Sequence, residues 1–345
     1  MSSTPRVVST RNGLAAALAA VLLLAACSWS DKEKPAPEPS PDLAKPPAAI
    51  AVHPGPFQSG PFRAPRTGAL VGAWIKPDQL THVGRLAAVE SLQTDLGRQL
   101  PIVNTYRRFE QMVGTPSDQE FLAQGATLMV SWATGDNRSI LDGEHDDLIR
   151  KQAKAIRKVR RPVLLRMRWE MDRPNLRPTM WSGADYIAAW KYVRAIFREE
   201  GTSNVSWVFC PTAEGFIRGD APDFYPGDDQ VDWTCVDVYA GERFQPIGTL
   251  MDPFLRWAAQ HPKPIIIGEF GVAKAWGSAG RAAWLADAAR TFKANPQIKA
   301  VTYFESDPEG NGPTKQFQLT GDKAAFKAFH RLVKDPYFNP PLRRY

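Results

Sequence analysis

The chain has 345 residues, 43% of them in the apolar set, and a formal net charge of +7. That length and apolar content are enough for one domain with a sizeable core. The basic excess is mild and no basic run carries interleaved aromatics, which argues against nucleic acid; the five histidines are scattered and form no cysteine–histidine cluster with zinc spacing.

The first element in chain order is a targeting segment rather than part of a fold. Residues 1–13 hold Arg6 and Arg11 and no acid, and the apolar run LAAALAAVLLLAA (14–26) is too short to span a membrane comfortably. Residues 1–26 therefore read as a secretory signal, whose removal takes away two arginines and lowers the net charge from +7 to +5. The run closes on Leu24-Ala25-Ala26-Cys27, which resembles the lipobox of bacterial lipoprotein precursors. That resemblance implies cleavage before Cys27, lipidation of Cys27, and an exported protein anchored to a membrane, in the periplasm or at the cell surface. An ordinary secretory signal followed by a chance cysteine is the alternative. Residues 27–66 follow as a tether with ten prolines and too few large apolar residues to build a core.

Residues 67–345 are the expected folded domain. Strand-like runs are predicted at 69–75, 100–106, 126–133, 162–170, 204–210, 230–239, 264–270 and 299–305, with helical patterns between them. The clearest helix covers 184–200. Tyr186, Trp190, Val193 and Phe197 recur there at spacings of three and four, Ser182 is placed to cap its start with Asp185 as capping-box partner, and Gly201 ends it. Further helices are predicted at 147–160, 250–260, 279–295 and 323–334. Eight such units imply a single-domain (β/α)8 barrel. A doubly wound open sheet is the runner-up, although nothing resembles a glycine-rich dinucleotide loop. Cys210 and Cys235 fall on neighbouring predicted strands. Export would permit a disulfide, but buried free thiols are the expectation adopted.

Two of the apolar runs, PVLLRMRWEMD (162–172) and KPIIIGEFG (263–271), break off in a glutamate. The strand count puts Glu170 at the end of strand four and Glu269 at the end of strand seven, on the carboxyl face where barrel active sites are built. One carboxylic acid and one carboxylate across a sugar bond are what glycoside hydrolysis requires. Two structural glutamates held in ion pairs are the bland alternative. Alternation puts Arg166, Arg168 and Glu170 on one face, and Ile265, Ile267 and Glu269 on one face of the later strand.

The stretch Arg166 to Asp172, R-M-R-W-E-M-D, resembles the R-x-x-H-E-M-N segment of glycoside hydrolase family 26, the β-mannanase family. Ile267 to Gly271, I-G-E-F-G, resembles that family's G-E-x-G nucleophile segment. DWTCVDVY (232–239) and SWVFCP (206–211) are similar to its strand-six and strand-five segments. The resemblance implies a retaining mechanism with Glu269 as nucleophile and Glu170 as acid/base. It implies that Arg166 sits below the carboxylates, and that Tyr239 hydrogen-bonds the nucleophile. Asp237, two residues before Tyr239, is placed to support Arg166. Three departures leave the sugar open: Trp169 stands where the family carries histidine, Asp172 replaces asparagine, and the expected loop aromatic is delayed to Trp181.

Sugar rings stack on aromatics, so Trp132, Trp169, Trp181, Trp207 and Trp276, at or beyond strand ends, are candidate platforms, with core packing as the competing reading. Asp172 is a further candidate contact, whereas Trp74, Trp190, Trp257 and Trp284 are assigned to element bodies. Arg168, Arg173 and Arg177 surround the acid, either as solvated loop charge or as a grip on an anionic polymer. The expectation is an endo-acting hydrolase of β-linked polysaccharide, of the β-1,4-mannan type, working without a cofactor as a monomer. β-Glucan, β-xylan or an acidic bacterial exopolysaccharide are alternative substrates. A catalytically silent glycan-binding barrel is the rival of another class, and carboxyls more than about 8 Å apart would favour it.

Overall fold

The computed structural model describes residues 57–241, 244–308 and 310–341. The expected signal (1–26), Cys27 and the tether as far as residue 56 lie outside the described residues.

Unbroken Val, Ile and Leu runs suit strands buried on both faces, and eight of them form: β1 Leu70–Ile75, β2 Ile102–Arg108, β3 Thr127–Ala133, β4 Val163–Met167, β5 Val205–Phe209, β6 Trp233–Ala240, β7 Ile265–Val272 and β8 Ile298–Glu305. They pair in parallel in chain order, and β8 returns to β1 to close a barrel. Around it run α1 His82–Leu96, α2 Pro116–Ala123, α3 Asn137–Leu141, α4 Asp146–Val159, α5 Arg177–Met180, α6 Gly183–Glu199, α7 Ala213–Arg218, α8 Ile247–Ala258, α9 Gly277–Ala294 and α10 Lys323–Lys334. The fold is the (β/α)8 barrel. In α6 the Ser182 hydroxyl caps the Asp185 amide, and Tyr186, Trp190, Val193 and Phe197 are all buried.

Strand alternation sorts the side chains into two cores. Val71, Val103, Val130, Leu165, Trp207 and Phe270 point outward against the helices. Leu70, Ile102, Met129, Leu164, Val208, Cys235, Ile266 and Ala300 point inward and fill the lower barrel.

The expected tether limit at residue 66 is too late. Phe62 is 1% exposed and joins the inward core at the amino-terminal end of the strands, with its ring 5.7 Å from that of Trp233. The Phe62 amide donates to Ser206 Oγ at 2.9 Å, while Ser206 Oγ and Trp233 Nε1 each donate to the Ser59 carbonyl at 2.9 Å. Proline richness marked the segment as core-poor, yet a single phenylalanine is enough to plug the base.

Cys210 and Cys235 form a disulfide instead of the expected free thiols. Both face the barrel interior, Cys210 just past the end of β5 and Cys235 on the adjacent β6, with Cα atoms 4.3 Å apart, so burial and proximity come together.

Candidate active site

The position of Glu269 depends on an irregularity in β7. Ile266 points inward and Ile267 outward, so strict alternation would turn Glu269 outward with Ile267. The β6–β7 register instead skips a residue, passing from Val236↔Ile267 to Asp237↔Glu269. Gly268 is the extra residue of this bulge, which re-aims Glu269 into the barrel mouth. A Cβ on Gly268 would lie 2.5 Å from Cys235 Sγ, 2.6 Å from Asp237 Oδ1 and 2.8 Å from Cys210 Sγ, so only glycine fits. The expected shared face of Ile265, Ile267 and Glu269 is therefore corrected.

A second irregularity presents Glu170. β4 ends at Met167 and the chain turns through Arg168–Asp172. Arg168 (φ 46°) and Glu170 (φ 55°) take the left-handed conformation that side chains other than glycine rarely adopt. Backbone bonds hold the turn: the Arg168 amide donates to the Trp132 carbonyl at 2.8 Å and the Glu170 amide to the Cys210 carbonyl at 2.7 Å. The expected common face for Arg166, Arg168 and Glu170 thus fails beyond Met167.

These two devices bring the carboxylates together. Oxygens of Glu170, Asp237 and Glu269 lie within 4.8 Å of one another. Glu269 accepts from three donors: Tyr106 Oη to Oε1 at 2.6 Å, Arg166 Nη1 to Oε1 at 2.8 Å, and Tyr239 Oη to Oε2. All three give and none receives, which matches a carboxylate acceptor. Arg166 is fully buried and its Nη2 donates to Asp237 Oδ2. Its Nη1 also contacts Ser131 Oγ at 3.2 Å. A cation between Asp237 and Glu269 is thus supplied by the chain itself. Of the two clusters with metal-ligand geometry among the described residues, the acidic one holds Arg166 through Asp237 and Glu269, and the other has its sulfurs committed to the disulfide.

Burial pushes the Glu170 carboxyl up to about 7, with the Glu269 charge adding to the rise and Arg173 and Arg166 opposing it. Burial also raises Asp237, against the pull of Arg166. The phenols of Tyr106 and Tyr239 are raised by burial and then by the Glu269 charge, so both stay protonated donors.

The predicted aromatics divide. Trp169 lies in the mouth, half-buried, with its ring 5.1 Å from Tyr106 and 5.9 Å from the Arg166 guanidinium. Trp181, on the loop after β4, is 44% exposed; its Nε1 donates to Asp136 at 2.7 Å and Arg138 covers one face at 3.9 Å. Trp276, on the loop after β7, is half-buried with its ring 5.1 Å from Phe244. Trp132 and Trp207 are corrected to core residues. Both point outward from their strands, Trp132 between Phe109 and Phe197 and Trp207 against Trp190 and Phe197. Asp172 is corrected as well. It is fully buried and accepts from the Thr212 amide at 2.9 Å and from the Thr212 hydroxyl, clamping the start of α7 rather than facing a ligand.

Tyr106 was not singled out from sequence, although it ends the predicted run 100–106 and shares the parity of inward Ile102 on β2. Trp74, assigned above to an element body, shares that parity on β1 and meets Tyr106 edge-on at 4.9 Å. Phe304 and Phe317 complete the aromatic wall against Tyr239, at 5.7 and 4.6 Å.

Comparison with known proteins adds a family pattern, described as Glycosyl hydrolase family 26, which matches residues 123–300. Endoglucanase H of Acetivibrio thermocellus is 27% identical over 301 residues, covering 79% of this chain and 31% of that protein. The β-1,3-xylanase TXYA of a Vibrio species is 28% identical over 144 residues, covering 39% of this chain and 29% of its own. The chain thus spans about a third of the length of these curated relatives. Among solved structures, a family 26 β-mannanase from Bacteroides ovatus superposes with a TM-score of 0.59 at 17% identity, covering 79% of this chain and 90% of that one. A β-mannanase from a symbiotic protist of the termite Reticulitermes speratus gives 0.55 at 16% identity, covering 86% and 99%.

Proposed function

The chain belongs to glycosyl hydrolase family 26, and from that premise we propose that it is an endo-acting, retaining β-glycosidase that cleaves a polysaccharide by double displacement. The observation that carries this reading is the carboxylate pair, with Glu170 and Glu269 oxygens within 4.8 Å. Retaining chemistry needs carboxyls about 5 to 5.5 Å apart, and the inverting alternative leaves room for a water at about 6.5 Å or more. The same closeness weighs against the silent glycan-binding barrel.

In the proposed cycle, Glu269 attacks the anomeric carbon while Glu170 gives its proton to the departing glycosidic oxygen. The product is a glycosyl ester on Glu269 and a free chain end. Esterification removes the Glu269 charge, so Glu170 becomes the stronger acid and holds its proton less tightly. It then takes a proton from water, which attacks the anomeric carbon and releases Glu269. Arg166, Tyr106 and Tyr239 fix the nucleophile oxygens, and the aromatics of the mouth offer stacking surfaces.

A β-1,4-mannan-type backbone is the first substrate reading, in line with the family and with the β-mannanases that share the fold. β-Glucan is the second. It is supported by the similarity to an endoglucanase and by Trp169 at the position where the mannanase motif carries histidine. Wild type and Glu269→Ala should be run side by side on mannan, β-glucan and β-1,3-xylan. Product on one polymer that disappears in the variant supports the reading. No product on any polymer, or product indifferent to the substitution, overturns it. Export with a lipid on Cys27 is proposed from the Leu24–Cys27 motif; labelled palmitate should enter the full chain and not Cys27→Ala.

A further inference from the structure

The loop after β4 holds one ion pair that the proposed reaction cannot keep. Arg173 Nη1 donates to Glu170 Oε2 at 2.7 Å, with the arginine side chain 50% exposed and the glutamate 13%. Two other arginines near the acid have carboxylate partners. Arg177 pairs with Asp220 at 2.7 Å, and Arg218 reaches Asp220 at 3.1 Å and Asp172 at 3.4 Å. Arg168 differs in being turned partly inward, with its Nε buried and without a hydrogen-bond partner. Among the described residues, Arg173 is thus the half-exposed cation whose ion-pair partner is the proposed acid itself.

To protonate a leaving oxygen, Glu170 must carry a proton. A neutral carboxyl no longer balances a guanidinium, which leaves the Arg173 charge unpaired beside the leaving group. A carboxylate on the substrate restores that balance. We propose that Arg173 is a specificity-determining residue that binds a carboxylate of the polymer, a uronate or pyruvate-ketal group, next to the cleaved bond, exchanging Glu170 for the substrate anion. This rests on the reading of Glu170 as the acid. The groups facing Glu170 are Arg168 and Arg173 on its own loop, Arg166 from β4, Asp237 and Tyr239 from β6 and Glu269 from β7. Of these, Arg173 alone is exposed enough to be drawn away. A neutral polymer leaves Arg173 on Glu170, where it favours the unprotonated form and slows the acid step. The arginine fork suits the planar carboxylate in two-point contact.

The test uses one backbone in two forms: the neutral polymer that the panel identifies, and the same polymer carrying carboxylates, made by oxidising part of the C6 hydroxyls of mannan or β-glucan or, for xylan, by using a uronate-branched form. Wild type should cleave the charged form with kcat/KM about tenfold higher or more, as expected for one charge-assisted contact, and the advantage should shrink with added salt. In Arg173→Gln that preference should vanish, and on neutral polymer the alkaline limb of the pH profile should move upward. Arg173→Lys should keep part of the preference. A wild type that favours the neutral form, or an Arg173→Gln that slows both forms equally at unchanged Tm, overturns the proposal. Glu269→Ala serves as the separate control: activity that survives it sinks the assigned chemistry and not merely the role of Arg173.

Discussion

Around Glu269 each donor has a separable role. Arg166 is anchored on Asp237, whereas Tyr106 and Tyr239 hang from opposite sides of the barrel, on β2 and β6. Tyr106→Phe removes one hydrogen bond to a charged acceptor, worth about 1.5–3 kcal/mol. We expect kcat/KM to fall about 10- to 100-fold with Tm little changed; an unaltered rate would show that Tyr106 is only packing. The proposed acid gives a second expectation. Glu170 has its midpoint raised to about 7, so the proton-bearing form dominates below that pH and is lost above it. The kcat/KM profile should therefore decline as pH rises through about 7. Glu269→Gln deletes the charge that helps raise Glu170, so an NMR titration of Glu170 should show its midpoint lowered, mimicking the esterified intermediate. A midpoint that stays put would mean burial alone sets it. At this scale parity was the readable signal. It separates inward Tyr106 and Trp74 from outward Trp132 and Trp207, and the strand-end criterion used for the tryptophans ignored it.

Elements place the two glutamates by breaking their own regularity. β4 stops three residues before Glu170 and β7 carries a bulge one residue before Glu269. Apolar runs announced both strands, but neither break follows from periodicity, because a bulge is set by what the neighbouring strand holds. At Gly268 that neighbour is the disulfide together with Asp237. Gly268→Ala must move sulfurs or backbone, and overpacking of this kind costs about 1–3 kcal/mol or more. The expected result is a lowered Tm together with a loss of activity larger than the stability loss explains, since Glu269 is displaced. Gly312→Ala, where an added Cβ meets nothing within 4 Å, is the matched control. Equal behaviour of the two variants would remove the bulge from the argument.

For the whole molecule, strands buried on both faces made the parallel α/β class legible from composition, and the count of eight units favoured the barrel over the doubly wound sheet. The lower boundary was not readable, because the plug is a single phenylalanine in a proline-rich stretch. Phe62→Ala should cost about 3–5 kcal/mol, as for a fully buried phenylalanine, and appear as a drop in Tm with kcat retained well below the transition. Loss of kcat at full stability would contradict a purely structural plug.

That plug also fixes the end of the barrel that residues 57–62 meet. The amino-terminal stretch joins the barrel at its sealed end, through Ser206 and Trp233, while the glutamates open on the other. A pull along that stretch loads the floor and bypasses the ring around Glu269. Under the proposed lipid anchoring, the load would therefore enter at the floor, and the proposed cut within a long polymer would take place at the opposite end of the barrel.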